Sequence, residues 1–139
     1  MSLFNVFNVT GSAMSAESIR LNTTSSNLAN ANSVGSSATE TYKGRHPVFM
    51  AELDKFTSQA LGHSVPVRVA GIVESKKPLR AEFNPDHPMA NAEGYIFKPN
   101  VNIMEEMANM ISASRSYQTN VEVAEACKQM LMRTLQMGH

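Results

Sequence analysis

Charge, cysteine and long apolar runs are all scarce in this 139-residue chain. Charged residues make up 17% of it, against roughly 25% in an ordinary soluble domain. Twelve basic residues balance twelve acidic ones. A neutral, charge-poor chain has no electrostatic footprint for nucleic acid or anionic lipid. It also has little to keep it soluble alone, which points to a surface meant to be covered by protein. The one cysteine, Cys127, excludes an intramolecular disulfide framework. No apolar run approaches the roughly 18 residues that would span a bilayer, so no membrane insertion is expected. A secretory signal needs a basic start followed by an unbroken apolar stretch. Here the first basic residue is Arg20, and Asn5 and Asn8 interrupt the apolar residues. If the protein leaves the cytoplasm, the expected route is export without a cleaved signal peptide.

Signatures of catalysis are scarce too. His46, His63, His87 and His139 are the candidate bases or metal ligands, and none has a second His or Cys at helical ligand spacing. Asp54 and Asp86 lie far apart in polar surroundings. A Gly-rich phosphate loop, a nucleophile elbow and a zinc-protease motif are all missing. The expectation is a non-enzymatic protein with no catalytic residue, no cofactor and no metal.

What the chain does contain is helical periodicity at both ends. Phe7, Met14, Leu21 and Leu28 recur at intervals of seven, and Phe4, Gly11, Ser18, Ser25 and Asn32 form a companion series three residues ahead. This is heptad spacing, with large residues at one seam position and mostly small ones at the other. Ser, Thr and Asn fill the rest of the segment where an exposed helix would carry a charged face. At the other end Ile103, Met110, Tyr117, Ala124 and Leu131 recur at seven, with Met107, Ser114, Val121, Lys128 and Leu135 as the offset series. Asn102 is placed to cap this helix, Glu105 stands where a capping box needs it, and Gly138 stands where the helix would stop. Helices are therefore expected over residues 3–32 and 102–137.

The middle leans towards β structure. Val65, Val67 and Val69 alternate with Pro66 and Arg68, as a half-buried strand does. Gly71 suggests a bulge before Ile72 and Val73. Leu79, Ala81 and Phe83 alternate again, and Tyr95-Ile96-Phe97 is a third candidate strand. Pro85 and Pro88 mark residues 84–94 as a loop, and residues 33–41, without apolar period, read as a mobile linker.

The expected fold is mainly α with a small β part, an α+β class. Long N- and C-terminal helices form a coiled-coil-like bundle around a short β-rich middle. The division is residues 1–32 as an N-terminal assembly helix, 33–100 as linker and β-rich segment, and 101–139 as a C-terminal assembly helix. Four large side chains do not offset the conformational entropy of ordering the first helix, so it needs a partner. The last helix can supply one seam, and the missing charges suggest further partners on other subunits, with ordering of the two helices completed by assembly. Identical chains packed head to tail without closing a ring form filaments. A soluble coiled-coil adaptor with a small β module is the alternative.

Asn27-Leu28-Ala29-Asn30, at the end of the first helix, resembles the N-terminal signature of flagellar rod and hook proteins. His87-Pro88-Met89-Ala90-Asn91, Gly94-Tyr95 and Pro99-Asn100-Val101-Asn102 resemble the run before the last helix in the proximal-rod members of that family. Glu106-Met107 and residues 110–120 continue the likeness. There is one departure: Ser33 stands where many relatives have Thr, and Tyr42-Lys43 arrives late, after residues 35–41. The resemblance implies a structural subunit of the basal-body rod, in its periplasmic part. The implied partners are copies of itself, other proximal and distal rod subunits and an adaptor on the export-gate and MS-ring side. The implied carrier is the flagellar type III export apparatus.

The residues expected to form the assembly interface are Phe7, Met14, Leu21, Asn27, Leu28 and Asn30 on the first helix. On the last helix they are Met107, Met110, Ser114, Tyr117, Asn120, Val121, Leu131 and Leu135. For Asn27 and Asn30 two roles stand side by side: local stop signals, because Asn tolerates the left-handed conformation at a helix end, or a direct contact between helices. Tyr117 and the methionines equally suit an ordinary core, since Met fills irregular gaps.

Overall fold

In a computed structural model, residues 3–52 and 65–138 are described. Asp54, His63 and His139 lie outside the described residues. The elements in order are α1 (Leu3–Ala29), β1 (Arg45–Ala51), β2 (Val67–Glu74), β3 (Arg80–Phe83), β4 (Tyr95–Lys98) and α2 (Ile103–Met137). Two long terminal helices thus enclose a short stretch of antiparallel strands, an α+β arrangement.

The helices form where the heptads and caps place them. Asn102 caps α2 by accepting the Met104 N–H at 3.1 Å, which satisfies one of the orphan donors of the first turn. Glu105, three residues on, pairs with Lys77 at 3.7 Å. At the far end the Gly138 N–H returns to the Leu135 carbonyl at 3.3 Å. α1 stops three residues earlier than the periodicity predicts. Residues 30–33 continue as turns, with the Ala31 N–H on the Leu28 carbonyl and the Ser33 N–H on the Asn30 carbonyl. Hydroxyl-bearing residues are tolerated inside α1 because they bond back to its own carbonyls. Thr10 Oγ1 donates to Val6 and Thr23 Oγ1 to Ile19, each at 2.8 Å.

α1 and α2 run antiparallel and pack along each other within the single chain. A partner for α1 is therefore supplied by α2 of its own chain. The buried positions on α1 are Thr10, Ala16, Thr23, Thr24 and Asn27, and on α2 they are Glu106, Ala113 and Cys127.

Among the described residues the strands make two separate two-stranded ribbons. β1 pairs with β2, Arg45 opposite Glu74 and Ala51 opposite Val67. Val48 faces Gly71 but Phe49 faces Val69, so Ala70 is the extra residue of a bulge next to Gly71, where the glycine signals it. Strand β1 has no counterpart in the sequence reading. This ribbon lies against α1, and Ser12 Oγ accepts the Val67 N–H at 3.1 Å. β3 pairs with β4, Arg80 opposite Lys98. The segment expected to be a mobile linker is anchored instead. Gly35 makes an antiparallel bridge to Phe97, and Thr41 is buried, its hydroxyl on the Ser37 carbonyl at 2.7 Å.

Candidate functional site

The Asn-Leu-Ala-Asn signature places Asn27 in the last turn of α1, facing α2 and the start of β1. Its side chain has no solvent exposure. An amide carries two donors and two acceptor sites, and here all are used. Nδ2 donates to the Arg45 carbonyl at 2.7 Å and to Glu106 Oε2 at 3.0 Å. Oδ1 accepts the Tyr42 hydroxyl at 2.8 Å and the Arg45 N–H at 2.9 Å. One side chain so ties α1, α2, the linker and β1 together. Glu106 is 3% exposed, and Asn27 supplies it a neutral donor in a place where an unpartnered carboxylate would be costly. The Tyr42 phenol is raised above its usual 10.0, first by burial. Arg45 opposes that shift, and Glu106 and Glu74 add to it. The Arg45 guanidinium sits 5.6 Å from the Tyr42 ring centre.

Asn30 behaves differently. Its Nδ2 donates to the Ser26 carbonyl one turn back, at 2.9 Å. Of the two asparagines, then, Asn27 joins the helices and Asn30 serves the local helix end.

Two further asparagines from the C-terminal motif organise the middle. Asn100 Oδ1 accepts the Gly44 N–H at 2.8 Å, and its Nδ2 donates to the carbonyls of Ser75 and Lys77 at 3.3 and 2.7 Å. It closes the open end of the β1–β2 ribbon onto the segment entering α2. Asn91 Oδ1 accepts the N–H groups of Glu93 and Tyr95 at 3.0 and 2.9 Å, which shapes the turn between β3 and β4. Gly94 in that turn has φ +80°, a conformation that glycine adopts without penalty. A Cβ there would also meet the Phe83 ring at 2.9 Å.

The expected interface residues fall into three groups. Asn27 is buried within the chain. Phe7, Met14, Leu21, Leu28, Asn30, Met110, Ser114, Asn120, Val121 and Leu131 are half-buried, and Met107, Tyr117 and Leu135 are exposed. On α2 the buried positions are 106, 113 and 127, with Asn120 completing the seven-residue spacing. That series runs one residue before the offset series read from the sequence. On α1 the companion series Phe4, Gly11, Ser18 and Ser25 faces outward. Sequence reasoning gave no role to Glu106, Tyr42, the Arg45 backbone or Asn100. The available signal was Glu106 itself, an acidic residue at the head of the 106–113–120–127 spacing.

Among the described residues no group of three or more His, Cys, Asp or Glu is placed to hold a metal ion. No described helix is long and apolar enough to cross a membrane.

Comparison with known proteins adds a second line of evidence. The family model described as Flagella basal body rod protein matches residues 7–35. The model described as Flagellar basal body rod FlgEFG protein C-terminal matches residues 92–137. Asn27 and Glu106 lie one in each span. The chain is 44% identical to the flagellar basal-body rod protein FlgC of Salmonella typhimurium over 138 residues, 99% of each chain. It is 44% identical to FlgC of Yersinia enterocolitica over the same extent, and 43% identical to FlgC of Escherichia coli O6:H1.

Proposed function

Because the chain belongs to the flagellar basal-body rod protein FlgC family, we propose that it polymerises through α1 and α2 into the proximal rod, a tubular drive shaft that transmits torque and encloses the export channel. It is a structural subunit of the flagellar rod and not an enzyme, its place is the basal body, and it assembles with other rod proteins. The finer reading puts it in the periplasmic part, delivered by the flagellar type III export apparatus without cleavage. Its neighbours are then copies of itself, other proximal and distal rod subunits and an adaptor on the MS-ring side. In this reading residues 1–32 and 101–139 are the assembly helices and residues 33–100 the linker and small β-rich middle segment between them.

The observation that carries the proposal is the apolar surface which the intrachain helix pair leaves uncovered. On α2, Met104 is 74% exposed, Ile111 55% and Leu135 70%. Tyr117, Met130 and Met132 are exposed as well, and Phe4 on α1 likewise. Such a concentration on a charge-poor chain marks surface meant for protein contact. Flexible methionines suit contact with neighbours that are not all equivalent.

The test is to replace exposed members of this surface, with Tyr117→Asp and Leu135→Asp, in a motile strain carrying the chain as its rod protein. The expected result is wild-type levels of subunit and basal bodies that lack a rod by electron microscopy. Rods of normal length in both variants would sink the proposal. Sedimentation separates it from the coiled-coil adaptor, which forms a discrete dimer and no polymer.

A further inference from the structure

Among the described residues the largest fully buried side chains are Ile96, Asn27 and Pro99, and of these Asn27 alone lies on a helix. Apart from Glu106, the other buried residues on the two helices are small: Thr10, Ala16, Thr23 and Thr24 on α1, Ala113 and Cys127 on α2. A seam of small residues at a seven-residue period discriminates poorly between registers. Sliding α2 by one heptad, about 10 Å, sets one small side chain where another was. Asn27 and Glu106 break that degeneracy. In the observed register Asn27 Nδ2 meets Glu106 Oε2 at 3.0 Å. One heptad along, Asn27 would face the methyl group of Ala113, and the Glu106 carboxylate would lose its donor. A single buried polar contact that fixes the register of packed helices is the best-attested use of such groups. Farther along the seam, Arg20 Nη2 donates to Asn109 Oδ1 at 3.3 Å in the same register, but from a partly exposed position.

We propose that Asn27 and Glu106 are positioning residues that lock the axial register of α1 against α2, and with it the height at which each outward residue of α2 stands. The lock is a property of the single chain and does not depend on the rod contacts proposed above.

The test places spin labels at Ser18→Cys and Ser112→Cys, both exposed positions, in the full-length chain with Cys127→Ala. The distance between labels is measured by pulsed electron paramagnetic resonance, and helicity by circular dichroism. The expected result is one narrow distance in the parent and in Glu106→Gln, whose amide oxygen still accepts from Asn27. The double variant Asn27→Leu with Glu106→Leu removes the polar pair at similar volume, together with the bonds from Asn27 to Tyr42 and the Arg45 backbone. It should keep its helicity and gain a second distance population, displaced along the axis by about one heptad, ~10 Å. An unchanged narrow distribution in the double variant would overturn the lock. So would a broad distribution in the parent, or slippage in Glu106→Gln equal to that of the double variant. Loss of helicity in the double variant would also overturn it, by making the pair a requirement for folding.

Discussion

Gly35 and Phe97 exchange both of their backbone hydrogen bonds, at 2.9 Å from the Gly35 N–H and 3.0 Å from the Phe97 N–H. The segment after α1 is thereby stitched to β4. A Cβ at Gly35 would lie 2.3 Å from Thr41 Oγ1 and 3.1 Å from Thr41 Cα, so both a side chain and the backbone would have to move. Gly35→Ala is expected to cost about 1–3 kcal/mol by overpacking, read as a lower urea midpoint. Ala38→Ser, at an exposed position of the same segment, should change stability by less than about 0.5 kcal/mol. If the two variants lost stability equally, the segment would be a uniform surface and the bridge would have no special weight.

Leu28 is half-buried at the end of α1, next to the Asn27 hub. A carboxylate there would carry charge into a half-buried site. Leu28→Asp should destabilise the chain by about 1–3 kcal/mol and abolish swimming in soft agar. Glu40→Lys is the control. Glu40 is exposed, and its carboxylate accepts the Ser36 hydroxyl at 3.1 Å at the surface; swimming should stay near normal. Full swimming in Leu28→Asp would remove this turn from the assembly surface.

Cys127 is 5% exposed and sits in the 106–113–120–127 row of α2. A thiol so placed acts as a small apolar group. In the native chain it should react with iodoacetamide far more slowly than after denaturation, and Cys127→Ala should swim normally. Loss of motility in the Ala variant would reveal a chemical role for the sulfur.

Tyr42 gives the hub a pH dependence of known sign. Its folded-state pKa is raised above 10.0, with burial as the largest cause. The neutral phenol is the form that donates to Asn27. Its contribution to stability is present in full below pH 10.0 and is lost as pH rises through the folded value. The difference in urea midpoint between the parent and Tyr42→Phe should be constant from neutral pH up to pH 10.0 and shrink above it. A gap that widened at alkaline pH would mean that the ionised phenol is the favoured form in the folded chain.

Both helices were legible in the sequence because heptad spacing and the Asn102 cap are local signals. The phase of the seam was legible only in part. The face of α1 that is covered within the chain, by α2 and the β1–β2 ribbon, is lined by Ala16, Thr23, Thr24 and Asn27, which carry almost no hydrophobic signal. Attention therefore falls on Phe7, Met14, Leu21 and Leu28, which sit at the edge of that face, half-buried. Strand β1 escaped notice because Pro47 lies within it and its residues are mostly exposed, so the alternation that betrays a half-buried strand is missing. The contact between Asn27 and Glu106 spans 79 positions, and nothing local in either sequence neighbourhood announces the other. The β2 bulge, in contrast, was announced by Gly71.

Arg45 meets Asn27 entirely through its peptide group, giving its N–H and its carbonyl. Its guanidinium faces the Tyr42 ring at 5.6 Å and pairs with Glu74 at 3.5 Å at the surface. The chain thus separates what a position must be from what it must do. Asn27 is fixed by its chemistry, because no other side chain offers two donors and two acceptors in that shape. Toward Asn27, position 45 is fixed by geometry alone, and every residue but proline, which has no N–H, supplies the two bonds that Asn27 asks of it. A substitution scan across the hub should therefore find intolerance at 27 beside broad permissiveness at 45, although the two residues share the same pair of hydrogen bonds.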